Sequence, residues 1–132
     1  MKEKRISEQD YIELAQREES HVFDHKAFEV SGKSAQKIAV AFANADGGDF
    51  VIGISDAKES TEVGDRWQAH SIEDFNGHLQ ALSEVKPSLF ADYLFVSVEG
   101  RQGYALVITI EKSAAVHKTA AGDVYQRKAH NL

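Results

Sequence analysis

The chain has 132 residues, a formal net charge of −6, six histidines and no cysteine. That length fits one domain with a modest core, and the missing cysteine excludes a disulfide framework and a thiolate metal site. The acidic balance argues against broad, non-specific nucleic-acid binding, and the longest apolar run, "IAVAFA" at 38–43, is far short of the ~20 residues that cross a bilayer.

In chain order, "MKEKRISEQD" lacks the apolar core of a secretory signal, so a soluble, cytoplasmic protein with no membrane partner is expected. Ser7 is placed to cap a first helix, with Asp10 three residues on and an apolar side of Tyr11, Leu14 and Ala15. This N-terminal helix is expected within residues 1–18. "VFDHKAFE" at 22–29 reads as a strand. Ser34 is the expected N-cap of a second helix with an apolar stripe of Ile38, Ala41, Phe42 and Ala45.

"NADGGD" at 44–49 supplies the turn chemistry that ends that helix. "FVIGISD" at 50–56 is apolar on both faces and predicts a central strand. Residues 57–69 read as an acidic loop. Ser71 and Asp74 open a third helix with Ile72, Phe75, Leu79 and Leu82 facing inward, and Pro87 stops its continuation. "YLFVSV" and "YALVITIE" flank "EGRQG", a hairpin signal. A last short strand, "DVYQR" at 123–127, is expected after Gly122.

These elements predict one α+β domain over 1–132: a single mixed sheet of about five strands packed with two to three helices. No repeat, linker or low-complexity segment interrupts it. Ala27, Gly32, Lys33 and Ser34 also fit the spacing of a permissive phosphate-binding loop, with Asp56 in the place of its second motif. Phe28 and Val30 are too bulky for such a loop, and Glu29 would lie beside the phosphates. Neither an ATPase nor a nucleotide cofactor is expected.

A wider pattern runs "ESHVFDHK" (19–26), "IAVAFANADGGDFVIGISD" (38–56), "GYALVITIEKS" (103–113) and "GDVYQRKAHN" (122–131). Together these segments resemble the Schlafen AlbA-type (AlbA_2) domain over about 19–131. The resemblance implies a Schlafen AlbA-like fold and a nucleic-acid-acting module. Family members occur in bacterial regulators and in defence proteins, some of which cut tRNA or other RNA with carboxylates and a divalent metal.

Carried onto this chain, that cluster falls on Glu19, Asp24 and Asp56, with Lys26 matching the family lysine. The resemblance thus implies Glu19, Asp24 and Asp56 as ligands of Mg²⁺ or Mn²⁺ if the protein is catalytic, with Lys26 beside the reacting phosphate. Three departures stand out: Asp24 replaces the usual Glu, His25 replaces an aromatic residue, and Ala129 stands where Gly is common.

Geometry constrains the trio. Five residues of continuous strand span about 16 Å and point Glu19 and Asp24 to opposite faces. They meet only if the chain bends near Ser20 and His21. Asp24 opens its strand and Asp56 closes its own, so antiparallel pairing would join them and parallel pairing would part them.

The charge is uneven: residues 55–99 carry −6 and residues 100–132 carry +3. The basic end offers Lys118, Arg127 and Lys128 for phosphates and Tyr125 for base stacking, alongside Lys26. Two readings stay open. One is a metal-dependent endoribonuclease cutting tRNA or other structured RNA. The other is a non-catalytic DNA- or RNA-binding module that positions a partner or fused effector domain. RNA is expected a little ahead of DNA, a homo-oligomer is compatible with the acidic surface, and the chain is readable as the front of a longer protein.

Overall fold

The structure, a computed structural model, describes residues 2–128. Ten elements follow in chain order: β1 (Lys2–Ile6), α1 (Glu8–Gln16), β2 (Phe23–Lys26), α2 (Gly32–Ala43), β3 (Gly48–Ile52), 3₁₀ turns Val63–Arg66 and Ile72–Phe75, α3 (Asn76–Ser83), β4 (Ala91–Val98) and β5 (Ala105–Ile110). The strands form one sheet in the order β1-β4-β5-β3-β2. Its two outer pairs are parallel and its two inner pairs antiparallel. This is an α+β fold on a mixed five-stranded sheet with three helices.

Alternation along the strands separates two apolar layers. Phe50 and Ile52 of β3, Leu106, Ile108 and Ile110 of β5 and Phe95 of β4 face α2 and α3. Val51, Ala105 and Val98 face the other way, where Tyr11 and Ala15 of α1 cover them. Small residues bring α2 close to its neighbours: Ala35, Ala39 and Ala43 are buried against the sheet layer. A Cβ on Gly32 would stand 2.9 Å from that of Ala81. Ser7 caps α1 by accepting from the Asp10 N–H, as its spacing predicts. The Ser71/Asp74 capping box and the β4–β5 hairpin also form where expected.

Several expectations need correction. The cap of α2 is Ser31, whose side chain accepts from the Ser34 N–H, so the helix begins three residues before Ser34 would have allowed. The strand expected over 22–29 ends at Lys26, because a turn closed by the Val30 N–H on the Ala27 carbonyl lays Phe28, half-buried, against the edge of the core. "DVYQR" forms no strand. Its backbone is held instead by α2 and the turn after it, with the Arg127 N–H donating to the Ala41 carbonyl and Asn44 Nδ2 to the Tyr125 carbonyl.

The fifth strand is β1, at residues expected to be helix or coil. "KEKRI" has no apolar alternation, and its four leading residues are exposed. It exists through backbone pairing with β4, from Lys2 opposite Leu94 to Ile6 opposite Val98. The phosphate-loop spacing is absorbed by this plan: Gly32 starts α2 against Ala81, and Lys33 is exposed. Among the described residues, no helix is long and apolar enough to cross a membrane. Ala129, and the end of the motif at 129–131, lie outside the described residues.

Candidate nucleic-acid interface and its acidic corner

Between α1 and β2 the chain does bend. Ser20 and Phe23 bridge each other, the Ser20 N–H donating to the Phe23 carbonyl at 2.9 Å. The turn brings Glu19 to the same side as Asp24, where both carboxyl groups face the Lys26 ammonium. Burial first, then the neighbouring Asp24 carboxylate, hold the Glu19 carboxyl above the usual carboxylate range, with Lys26 pulling it partly back.

Lys26 lies under both acids, its Nζ 3.6 Å from Glu19 Oε1 and 3.5 Å from Asp24 Oδ1. At that range the ammonium supplies charge rather than a hydrogen bond, and Asp24 Oδ1 is buried without a donor.

A second cation reaches Asp24 from the far end of the chain. Arg127 Nη1 donates to Asp24 Oδ2 at 3.0 Å, and the Asp24 side chain is only 4% exposed. Arg127 Nη2 donates to the carbonyls of Ser20 and Phe23, and the guanidinium lies 4.6 Å over the Phe42 ring. The fork thereby ties the C-terminal segment to the Ser20–Phe23 turn, to β2 and to α2. Arg127 is thus committed inside the protein.

Asp56 takes a different place. β2 and β3 run parallel with Asp24 opposite Phe50, so Asp56 lies six residues beyond that partner. Asp56 Oδ1 accepts the N–H groups of Lys58 and Glu59 at 2.9 and 3.2 Å and closes the turn that follows. Asp56 shares a cavity of about 320 Å³ with Glu19, Lys26 and His25. The His25 ring is buried beside Phe23, and its Nδ1 has no partner.

A hard divalent cation asks for converging oxygens at about 2.0–2.6 Å. Here two ammonium or guanidinium groups already balance the Glu19–Asp24 pair, and Asp56 spends one oxygen on its own turn. Among the described residues, no three His, Cys, Asp or Glu side chains are grouped to hold a metal ion. The residues as arranged do not fit a three-carboxylate metal site.

The basic end of the chain opens elsewhere. A depression of about 530 Å³ lies between the α2–β3 turn and the C-terminal segment, lined by Asn44, Asp46, Lys112, Gln126, Arg127 and Lys128. A second of about 320 Å³ adds Ser20 and His21 and reaches Glu19, sharing Gln126, Arg127 and Lys128. Lys112 is well exposed, with Asp46 3.8 Å from its Nζ, and Asp46 also faces His21 Nε2 at 3.5 Å.

The sequence-predicted contacts are only partly gathered here. Lys128 and Arg127 line both depressions, and Lys26 sits at the acidic corner. Lys118 is held through its backbone to Lys86, and the Tyr125 ring lies by Lys37 of α2 at 5.5 Å. Sequence reasoning missed Asn44, whose side chain clasps the His117 backbone on both sides and the Tyr125 carbonyl. The signal was present, since Asn44 ends the "AFAN" run.

Glu19 gives a first test. A carboxyl whose pKa is raised on folding weakens the fold where it is ionised, so stability is gained as pH falls through the folded value. Glu19→Gln is expected to raise the Tm slightly at pH 7, and that advantage should close as the pH enters the acidic range. A Tm lowered at pH 7 would mean that the Lys26 pairing outweighs burial and Asp24.

The family model described as Schlafen, AlbA_2 matches residues 10–131 of the chain. No curated protein matches it significantly.

Proposed function

The chain belongs to the Schlafen AlbA_2 family, and from that premise we propose a module that grips a nucleic-acid phosphate backbone without cutting it. Membership makes it a nucleic-acid-related module. The finer reading rests on the depression beside the α2–β3 turn. There Lys112 and Lys128 are exposed on the rim, while the side-chain amides of Asn44 and Gln126 between them are engaged with the backbone that shapes it. Two ammonium groups on flexible stems suit a charged, irregular strand better than one fixed ligand. RNA stays ahead of DNA because the family's cutting members act on tRNA and other RNA. Bound this way, the domain would position a partner or a fused effector on the nucleic acid.

The test is a polarisation titration against mixed-sequence single-stranded RNA and DNA at several salt concentrations. Binding should be weak, indifferent to sequence and abolished as salt rises, because a small cationic rim on an acidic body gains mainly from counterion release. Affinity insensitive to salt would sink the proposal.

A second reading, Mg²⁺- or Mn²⁺-dependent cleavage of RNA, has one observation in its favour: Glu19, Lys26 and Asp56 share a cavity. Incubating a tRNA and DNA panel with Mn²⁺, and with chelator, decides it. No cleavage is expected. Mn²⁺-dependent cutting abolished by Glu19→Gln, Asp24→Asn and Asp56→Asn would replace the first reading with the second.

A further inference from the structure

Arg127 has the residue type and chain position of a phosphate contact, yet its guanidinium is turned inward. Its nitrogens meet one buried carboxylate and two turn carbonyls, and its face lies on Phe42. Its own N–H donates to the Ala41 carbonyl at 3.1 Å, while Gln126 Nε2 donates to the Asn44 carbonyl at 3.1 Å. With no strand to fix the segment, these contacts decide where residues 125–128 lie. Lys128 follows directly, on the rim of both depressions.

We propose that Asp24 and Arg127 form a latch that docks the C-terminal segment and thereby sets Lys128 at the phosphate-binding rim. The acid that the family resemblance gives to a metal is, in this chain, the anchor of a positioning arginine. The chemistry favours that division of labour. A planar fork holds donors on two separate nitrogens at a fixed spacing, here one toward the carboxylate and one toward two carbonyls, whereas an ammonium is a single point donor. With 4% of its side chain exposed, Asp24 has little solvent to fall back on if the fork leaves.

The proposal rests on the phosphate-binding reading for its consequence, but the latch is tested separately. Hydrogen exchange of the full chain reads it without nucleic acid. In Asp24→Asn and in Arg127→Lys, the backbone amide at position 127 should exchange at least about tenfold faster, a local opening. The His117 and Ala120 amides, bonded to Asn44 and Gln36, should stay protected. Unchanged protection at position 127, or a collapse of protection throughout the chain, would overturn the latch.

Binding to single-stranded RNA then reads its consequence. If Arg127 gripped phosphate directly, Asp24→Asn would free it, remove a negative charge and strengthen binding. The latch requires the opposite: Asp24→Asn weakens binding about fivefold and lowers the salt slope by roughly 0.7, the equivalent of one phosphate. Stronger binding, or saturable micromolar Mn²⁺ binding that Asp24→Asn abolishes, would overturn the assignment. If the protein binds no RNA at all, the phosphate-binding reading fails while the exchange result still decides the latch.

Discussion

Replacing Lys112 and Lys128 together by alanine is expected to cost about tenfold or more in affinity for any single-stranded RNA at ~0.15 M salt. Each phosphate that is no longer neutralised takes roughly 0.7 from the slope of log affinity against log salt on a single strand, so the pair should take roughly 1.4. Both side chains are exposed on the rim of one depression, and neither holds the fold. Stability should therefore stay within about 0.5 kcal/mol of the parent.

Asp46 supplies an internal control. It stands 3.8 Å from Lys112 Nζ and 3.5 Å from His21, so Asp46→Asn should strengthen binding by releasing the ammonium and removing a repulsive charge. Both effects should appear equally across RNA sequences, since backbone contacts carry no base information. A polarisation titration across the salt series checks both variants. An unchanged slope in the double variant would move the contact surface elsewhere.

The sheet was legible where its strands are buried on both faces or joined by a hairpin. The "YLFVSV"/"YALVITIE" pair carries its pattern in apolar side chains, and β4 and β5 form there. Of "FVIGISD", only Phe50, Val51 and Ile52 lie in β3, which begins at Gly48 and ends at Ile52. The edges were not legible. β1 is nearly all charge, and β2 holds only Phe23–Lys26 of an eight-residue expectation. Backbone pairing makes an edge strand, and no side-chain period reports it.

"DVYQR" failed for a related reason. Its alternation is that of a strand, but the donors and acceptors of Asn44 and Ala41 claim its backbone first.

The acidic corner was half legible. Sequence geometry required a bend at Ser20 and His21 for Glu19 to meet Asp24, and the Ser20–Phe23 bridge supplies it. It also required antiparallel strands to bring Asp56 in, and the pairing is parallel. Strand direction is a property of the whole topology, which no local motif encodes. The partnership of Asp24 with Arg127, 103 residues away, was hidden for the same reason.

The paired glycines of "NADGGD" support a last expectation, that Gly48→Ala destabilises the protein by about 3 kcal/mol or more. Gly48 has φ +151°, and a Cβ there would stand 2.4 Å from the Val22 carbonyl oxygen and 2.8 Å from the Phe42 ring. Neither neighbour has room to yield. The Val22 carbonyl accepts the Asp49 N–H at 3.0 Å where β2 and β3 begin to pair, and Phe42 is fully buried.

Relief of the overlap would push Val22 outward and move the Ser20–Phe23 turn, whose carbonyls receive Arg127. A change far from any cation should thus loosen the rim that holds Lys128 as well as the core. Gly77→Ala makes the same chemical change in α3, where nothing lies within 4 Å of the new Cβ. It should stabilise by about 0.5–1 kcal/mol, since glycine costs a helix that much relative to alanine. Urea unfolding of the two variants beside the parent reads both signs, and a Gly48→Ala protein as stable as the parent would show that the β2–β3 junction can yield.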